Sequence, residues 1–128
     1  MFQLAKEEDF EWMASIQKAS GLPFWKPNST SWVVDKKSYV IWQKAGNECE
    51  LLSVATKEDL RRKGFAKKLM EYSQNELKKL RIDKFYLEVR ESNSAAISFY
   101  QKLGYEKISE RKNYYEDTET AVVMSLSA

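Results

Sequence analysis

Hydrophobic positions recur along the chain with two different periods, and each period predicts one kind of element. Helical spacing, with apolar residues three or four positions apart, occurs in KEEDFEWMASIQKASG, FAKKLMEYSQNELKKL and NSAAISFYQKLG. Strand-like runs are shorter, and they are MFQLA, SWVVD, SYVIWQKA, CELLSVAT, KFYLEVR, YEKISERK and TAVVMSLS. The second helical stretch is the most clearly amphipathic of the three.

The order of these elements predicts the fold class. It runs strand, helix, three strands, helix, strand, helix and two strands, which indicates a mixed α/β domain built around one sheet. The three consecutive strands follow one another through short turns and are expected to form an antiparallel meander. The strand before Arg61 and the strand ending at Val89 are joined by a helix, so this pair is expected to be parallel with a right-handed crossover.

Length and charge narrow the class of protein. A chain of 128 residues suits a single domain, residues 1–128, with one core. Its net charge of +2 gives no reason to expect direct nucleic-acid binding. Apolar runs are too short for a membrane span, and the first residues lack the apolar stretch of a signal peptide. A cytoplasmic protein without a membrane partner is therefore expected.

The chain contains no histidine and one cysteine. The missing histidine removes Ser-His-Asp and Cys-His catalysis and argues against a zinc site, so no metal is expected. Cys49 lies in a strand-like run, where a core thiol is a simpler interpretation than a nucleophile. If the protein is an enzyme, proton transfer falls to Glu, Asp, Tyr or Lys.

The stretch RRKGFA, residues 61–66, joins a strand to the start of the second helix. Unpaired backbone N–H groups and the helix dipole favour anion binding at such a start, and Gly64 permits a close approach. Basic residues beside a helix N-terminus cost about 0.3–1 kcal/mol each unless an anion is bound. The stretch lacks the Walker and dinucleotide-binding patterns, so an anion site and a solvated basic helix start both remain open.

Three motifs resemble those of the GNAT acetyltransferase superfamily. R-x-x-G-x-A at residues 61–66 is similar to the family's Q/R-x-x-G-x-G/A pyrophosphate loop, with Ala66 in place of the commoner glycine. YLEVRESNSAAISFYQKLGY at 86–105 resembles the segment in which a strand ending in L-E-V precedes an Asn and a helix. RKNYYED at 111–117 is typical of the bacterial subgroup that acetylates the N-terminal alanine of a small-subunit ribosomal protein. The resemblance covers residues 50–126 and is weak over the first 48.

This resemblance implies an α/β fold, a GNAT-type domain whose mixed, mostly antiparallel central sheet is flanked by helices and splayed into a cofactor cleft. It also implies acetyl-CoA as the co-substrate. Glu88 matches the subgroup's general base and Tyr100 its general acid. The positions implied to contact acetyl-CoA are Val54, Ala55 and Thr56 for the pantetheine arm, Arg62, Lys63, Gly64, Phe65, Ala66 and Lys67 for the pyrophosphate, and Asn93 further on.

Each candidate also has a purely structural interpretation. Glu88 alternates with apolar neighbours and could lie on the polar face of a half-buried strand. Tyr100 falls on the apolar stripe of its helix and could simply fill the core. Tyr114 and Tyr115 could line a groove for a basic peptide or belong to an ordinary turn between two strands.

The implied reaction is acetylation of a protein or peptide N-terminus, which is that of a ribosomal protein in the subgroup. An α-amino group has a pKa of about 8 and a lysine one of about 10.4, so the former is easier to deprotonate by about 3 kcal/mol. The segment before SWVVD is shorter than in most of the subgroup, so a lysine side chain, a polyamine or a small molecule remains an alternative acceptor. A non-catalytic acyl-CoA-binding module and a basic nucleic-acid-docking domain are alternatives of another class.

Overall fold

A seven-stranded sheet with three helices forms the framework of the computed structural model, which describes residues 1–127. The strands are β1 (Phe2–Leu4), β2 (Ser31–Val34), β3 (Ser38–Ala45), β4 (Glu48–Thr56), β5 (Lys84–Arg90), β6 (Glu106–Arg111) and β7 (Ala121–Ser127). The helices are α1 (Phe10–Ala19), α2 (Phe65–Lys79) and α3 (Ser94–Lys102). The predicted order of strands and helices is confirmed.

The strands lie side by side in the order β1-β2-β3-β4-β5-β7-β6. Neighbouring strands are antiparallel with the exception of β4 and β5, which are parallel and joined through α2. The predicted meander and the predicted parallel strand–helix–strand unit are both confirmed. The sheet is therefore mixed and mostly antiparallel, as the resemblance implied.

The pairing between β4 and β5 stops soon after it begins. Among the described residues, it joins Glu48–Glu50 to Lys84–Tyr86 and goes no further. Beyond that point β4 stays with β3 as far as Thr56, whereas β5 stays with β7 as far as Arg90. The sheet is thus split into two halves that diverge toward the carboxyl ends of β4 and β5.

Different helices cover the two faces of the sheet. One face packs against α2 and α3 in a cluster that includes Trp42, Phe85 and Leu87 of the sheet and Leu69 and Leu77 of α2. The other face packs against α1 through a smaller cluster of Met13, Ile16, Val33, Tyr39 and Ile41. None of the helices within residues 1–127 has the length and apolar character that crossing a membrane requires.

Cys49 belongs to the larger of the two clusters and is completely buried. Burial raises the pKa of its thiol to about 11, which keeps the sulfur protonated and unreactive at neutral pH. The interpretation of Cys49 as a core thiol is confirmed.

The connection between α1 and β2 has no regular secondary structure for much of its length, but a buried side chain anchors it. The Gln17 amide nitrogen donates to the Trp25 carbonyl (3.1 Å), and the Trp25 N–H donates back to the Gln17 side-chain oxygen (2.8 Å). Gln17 is completely buried, so both the oxygen and the nitrogen of its side-chain amide need such partners. These bonds hold the connection beside the split in the sheet.

Candidate active site

A cleft of about 630 Å³ opens where β4 and β5 diverge. Its walls come from the α1–β2 connection, from β4 and β5, from α3 and from the loop between β6 and β7. Six of the residues singled out from the sequence line it, and they are Val54, Glu88, Asn93, Tyr100, Tyr114 and Tyr115. The two residues expected to transfer protons therefore reach the same concave site.

Glu88 points away from the main core. Its strand neighbours Leu87 and Val89 are buried on the α2 side, and alternation places Glu88 on the opposite face. The Glu88 side chain is 12% exposed, and its Oε2 atom is fully buried without a hydrogen-bond partner in residues 1–127. Arg111 Nε lies 3.8 Å from this oxygen, which is too far for a hydrogen bond. An unpartnered buried oxygen in a cleft is free to accept a proton or a hydrogen bond from a ligand.

Tyr100 lies on α3, about two turns from the helix start. Its ring packs on the larger core cluster and meets the rings of Phe99 and Tyr105 edge to face, with centroids 5.3 and 5.9 Å away. Burial raises the pKa of the Tyr100 hydroxyl to about 12, so it remains protonated at neutral pH. The core role and a role in the cleft are compatible, since the residue both fills the core and lines the cleft.

The loop between β6 and β7 supplies an aromatic wall. Tyr114 and Tyr115 meet edge to face with ring centroids 5.1 Å apart. The negative charge of Glu88 is the main cause that raises the pKa of Tyr114, and it adds to burial in raising the pKa of Tyr115. The Glu88 carboxylate therefore acts electrostatically on this wall of the cleft.

Arg90 fixes the shape of the same loop. Its Nη1 atom donates to Asp117 (2.8 Å) and Glu119 (3.0 Å), and its guanidinium carbon lies 4.1 Å from the Tyr115 ring centroid. Glu119 also accepts from the Ser92 backbone N–H at 2.8 Å. Both carboxylates are thus hydrogen-bonded to other groups of the chain, while the tyrosines line the cleft.

The three candidate residues near the end of β4 have different surroundings. All three residues pair with β3, and Val54 also lines the cleft. The Ser38 hydroxyl donates to the Ala55 carbonyl (2.8 Å) and lies 2.9 Å from the Thr56 hydroxyl oxygen. In the described part of the chain, the β5 side of β4 has no strand partner beyond Glu50, so an extended ligand could pair with that edge.

The candidate phosphate-binding residues surround the N-terminus of α2, outside the cleft lining. The first intrahelical bond runs from the Lys68 N–H to the Gly64 carbonyl (3.0 Å), so the preceding N–H groups have no partner within the helix. No acidic residue lies in the first turn of α2. The concentration of N–H donors and basic side chains is suited to an anion.

Two left-handed residues turn the chain into this helix. Arg62 has a φ of 65° and Gly64 a φ of 82°. A Cβ atom at Gly64 would meet no other atom within 4 Å, so glycine is favoured by the backbone angle and not by crowding inside the protein. The open space above Gly64 leaves room for a ligand.

Arg61 and Phe65 attach the loop to the rest of the protein. Arg61 donates through Nε to the Thr56 carbonyl (3.3 Å) and through Nη2 to the Ser20 hydroxyl (2.8 Å). Phe65 packs on the larger core cluster, and the Lys37 ammonium lies 5.5 Å from its ring centroid. The Phe65 side chain therefore positions the helix start, and its backbone N–H is the group that can contact an anion.

Asn93 is the N-cap of α3 as well as a lining residue of the cleft. Its side-chain oxygen accepts a hydrogen bond from the Ala96 N–H at 3.1 Å. This cap explains locally why a helix begins here. The cap uses one lone pair of the oxygen, so the second lone pair and the side-chain nitrogen could both contact a cofactor.

Sequence reasoning does not single out Glu50 or Arg111, which the structure places near Glu88. Glu50 occupies the last paired position between β4 and β5, opposite Tyr86, and lines the cleft. Burial and, after it, the charge of Glu88 raise the pKa of Glu50, while Arg111 lowers it. The signal that could have identified Glu50 is its position on the same face as Glu88, but this requires the register of β4 on β5.

The residues of the site are carboxylates, phenols, basic side chains and backbone N–H groups. In the described part of the chain, no group of three His, Cys, Asp or Glu side chains is arranged to hold a metal ion. The arrangement offers a carboxylate that can accept a proton, a phenol that can donate one, and a helix start whose N–H groups and charges suit an anion.

Comparisons with known proteins identify the family. The model of the Acetyltransferase (GNAT) family matches residues 3–105. The [ribosomal protein bS18]-alanine N-acetyltransferase of Escherichia coli K12 is 37% identical over 92 residues, which span 70% of this chain and 62% of that protein, just under two thirds. The Haemophilus ducreyi protein of the same name is 30% identical over 143 residues, covering 98% of this chain and 99% of the relative.

A solved structure agrees with this match. The crystal structure of the Escherichia coli ribosomal-protein-S18-alanine N-acetyltransferase has a TM-score of 0.87 to this fold at 26% identity, covering 99% of this chain and 92% of that one. The similarity therefore extends over the first 48 residues, where the sequence motifs are weak. The chain belongs to the acetyltransferase (GNAT) family.

Proposed function

We propose that the protein transfers the acetyl group of acetyl-CoA to the α-amino group of a protein N-terminus, with the N-terminal alanine of ribosomal protein bS18 as the first candidate. The observation that carries the proposal is the presence of Glu88 and Tyr100 in one cleft at the split between β4 and β5. The names of the relatives from Escherichia coli and Haemophilus ducreyi support the choice of acceptor.

Two features of the chain suit acetyl-CoA. The start of α2 combines unpaired N–H groups with Arg62, Lys63 and Lys67, which favours the pyrophosphate. The free edge of β4 near Val54 favours hydrogen bonds to the amide groups of the pantetheine arm. Because that edge borders the cleft, a thioester at the end of the arm would come close to Glu88 and Tyr100.

The acceptor amine must lose a proton before or while it attacks. An α-ammonium group with a pKa of about 8 needs a base of modest strength, and a carboxylate can serve directly or through a water. The unpartnered Oε2 of Glu88 is the atom suited to receive that proton. As the nitrogen bonds to the carbonyl carbon, the C–S bond breaks and the sulfur leaves with the electron pair.

The departing sulfur needs a proton or a hydrogen bond from the protein. The Tyr100 hydroxyl is protonated at neutral pH because burial raises its pKa to about 12. A phenol in this state can donate to a thiolate, whose protonation favours departure of the CoA.

The walls of the cleft suit an extended peptide. On one side lie Leu22 and Trp25 of the α1–β2 connection, and on the other lie Tyr114 and Tyr115. Trp25 and Tyr114 are 37% and 47% exposed, so their rings are accessible to an incoming chain. Aromatic side chains that are held in place bind peptides with a small loss of conformational entropy.

Mass spectrometry of a peptide panel tests the proposal. The purified protein is incubated with acetyl-CoA and with peptides that begin with alanine and have a basic body, with the same peptides blocked at the N-terminus, and with polyamines. Acetylation of the free alanine peptides and not of the blocked ones is expected.

Other outcomes separate the alternatives. Acetylation of blocked peptides at lysine, or of polyamines alone, would reject the N-terminal acceptor but retain the acetyltransferase activity. Tight binding of acetyl-CoA without transfer to any amine would instead favour a non-catalytic acyl-CoA-binding module.

A further inference from the structure

Two carboxylates share one face of the sheet at the base of the cleft. Glu50 lies opposite Tyr86 at the last paired position of β4 and β5. Glu88 lies two residues beyond Tyr86 on β5, which is a rise of about 6.6 Å along that strand. Both side chains line the cleft. Two like charges in a partly buried site raise the free energy of the ionised pair unless a cation compensates them.

Within residues 1–127, Arg111 is the cation that lies within ion-pair distance of Glu88, whereas Arg90, which also lines the cleft, is paired with Asp117 and Glu119. Arg111 lies on β6, with Nε 3.8 Å from Glu88 Oε2 and its guanidinium carbon 5.6 Å from the Tyr114 ring centroid. Its charge also opposes the effect of Glu88 on Glu50. The Arg111 side chain is 59% exposed, so it compensates the carboxylates from the solvent side without entering the site fully.

This compensation leaves one atom unsatisfied. The Oε2 atom of Glu88 has no hydrogen-bond donor among residues 1–127, although Arg111 is within ion-pair distance. A guanidinium is planar and broad, whereas an ammonium group is compact and carries three donors. An ammonium group could therefore enter a space at Glu88 that the guanidinium only borders.

We propose that Glu50 and Glu88 together form the receptor for the ammonium group of the acceptor, and that Arg111 is an internal counter-cation which this ammonium displaces. The inference rests on the proposed amine acetylation. The acceptor arrives protonated, binds between the two carboxylates and then passes one proton to Glu88. Arg111 then moves away from Glu88 toward solvent, to which its side chain is already 59% exposed.

The arrangement selects acceptors by charge. A primary amine is a cation at neutral pH and gains contacts with both carboxylates, whereas a hydroxyl of the same shape gains little and does not displace Arg111. The substrate class that follows is a cationic primary amine, which includes a peptide α-ammonium group.

Steady-state kinetics with an alanine-starting peptide tests the receptor. Glu50→Gln keeps the shape of the side chain and removes its charge, and we expect it to raise the acceptor KM about tenfold, as for loss of one charge-assisted contact. Glu48→Gln is the matched control, since Glu48 lies on the same strand, pairs with Lys84 and does not line the cleft. The acetyl-CoA KM should stay unchanged in both variants, because a general loss of structure would raise it too.

Arg111→Gln is expected to change the acceptor KM in the opposite direction. Removing the competing cation is expected to lower the acceptor KM about threefold, and Arg111→Lys should restore a value near that of the wild type. An acceptor KM that rises in Arg111→Gln, or that is unchanged in Glu50→Gln relative to Glu48→Gln, would overturn the inference.

Calorimetry with the CoA-bound protein keeps the test independent of turnover. The probes are the alanine peptide and a peptide of the same sequence whose terminal amine is replaced by a hydroxyl. The wild type should bind the amine peptide at least tenfold more tightly than the hydroxyl peptide, and Glu50→Gln should lose most of this preference. Equal affinities of the wild type for the two peptides would reject the ammonium receptor. If the peptide is not acetylated but still shows this preference, the proposed reaction fails while the receptor stands.

Discussion

Glu88 and Tyr100 each differ from a nearby residue of the same type because their surroundings differ. Glu88 has a buried oxygen with no donor in residues 1–127, whereas the carboxylate of Glu119 accepts from Arg90 and from a backbone N–H. Tyr100 lines the cleft, whereas Tyr105, with which it is in ring contact, donates its hydroxyl to Gln74 at 2.6 Å. The difference lies in the hydrogen-bond partners, and it determines which residue is available for chemistry.

The substitution Glu88→Gln keeps the volume of the side chain and removes its basicity. We expect turnover to fall by about 100-fold or more, the typical contribution of a general base, while the affinity for acetyl-CoA changes by less than about twofold. Steady-state kinetics and calorimetry measure the two quantities separately. Equal losses in turnover and in cofactor affinity would show that Glu88 has a structural role only.

The substitution Tyr100→Phe keeps the ring in the core and removes the proton donor. We expect turnover to fall by at least about tenfold with little loss of stability. Tyr105→Phe is the matched control, because it removes a buried hydrogen bond to Gln74 and should lower stability more than turnover. Unchanged turnover in Tyr100→Phe would leave that residue a core role alone.

The pH dependence gives a second measurement on Tyr100. The donor is active in its protonated form, and its pKa is raised to about 12 by burial, so the hydroxyl stays protonated as pH rises to about 11. The ratio of wild-type turnover to Tyr100→Phe turnover should therefore be the same at every pH between about 7 and 10. A Tyr100→Phe variant that removes an alkaline limb of the profile in that range would contradict this assignment.

Single site residues could be predicted from the sequence where they lie in a compact motif. Glu88 and Tyr100 belong to one continuous stretch, and the loop around Gly64 to another, so local spacing was sufficient to propose them. Arg111 could not be predicted as a neighbour of Glu88, because their proximity depends on β6 and β5 both pairing with β7. The role of Arg61 was also not predictable, since its partners Ser20 and Thr56 come from other elements.

Among the elements, the start of α2 carries the clearest consequence for cofactor binding. The helix lacks acidic residues in its first turn, and Arg61, Arg62, Lys63, Lys67 and Lys68 lie in or beside that turn, so positive charge is concentrated at the positive end of the helix dipole. A bound pyrophosphate would compensate this charge. We therefore expect this helix start to be more stable when an anion is bound.

The substitution Gly64→Ala tests this element against a matched glycine. Gly64 and Gly46 both have a positive φ and open space around a Cβ atom, so alanine should destabilise either site by about 1–2 kcal/mol. Only Gly64→Ala is expected to raise the KM for acetyl-CoA, because Gly46 lies in the turn between β3 and β4. Similar changes in KM for both variants would show that the effect is one of general stability.

The elements themselves were well predicted because their patterns are regular. All seven strands and three helices follow from the hydrophobic periodicity, whereas the α1–β2 connection could not be described, since two prolines interrupt any repeat there. Its position depends on Gln17, which in the sequence is simply one polar residue of an amphipathic helix.

The pyrophosphate end and the pantetheine end of CoA should contribute differently to the thermal stability of the whole protein. A ligand at about 100 times its Kd stabilises the folded state by about 2.7 kcal/mol. For a chain of this length that corresponds to a rise in Tm of about 10 °C. Pantetheine, which lacks the pyrophosphate, should give a much smaller rise at the same concentration in a thermal melt. Equal shifts would show that the helix start contributes nothing to binding.

The split in the sheet could be expected from the resemblance but not from the elements alone. Hydrophobic patterns predict that β4 and β5 are strands and that they are parallel, yet the point at which they part depends on their register. Glu50 lies at this point, which is why its place in the cleft emerged from the structure and not from the sequence.

The short junction between β4 and β5 also has a consequence for the dynamics of the molecule. Three residue pairs connect a four-stranded half to a three-stranded half, so the centre of the sheet has fewer interstrand hydrogen bonds than either side. Amide protons near this midline should exchange with solvent more readily than those of β3 or β7 when the cleft is empty. An extended cofactor arm that pairs with the β4 edge would protect these amide protons. Acetyl-CoA would then stabilise the centre of the sheet as well as supply the acetyl group.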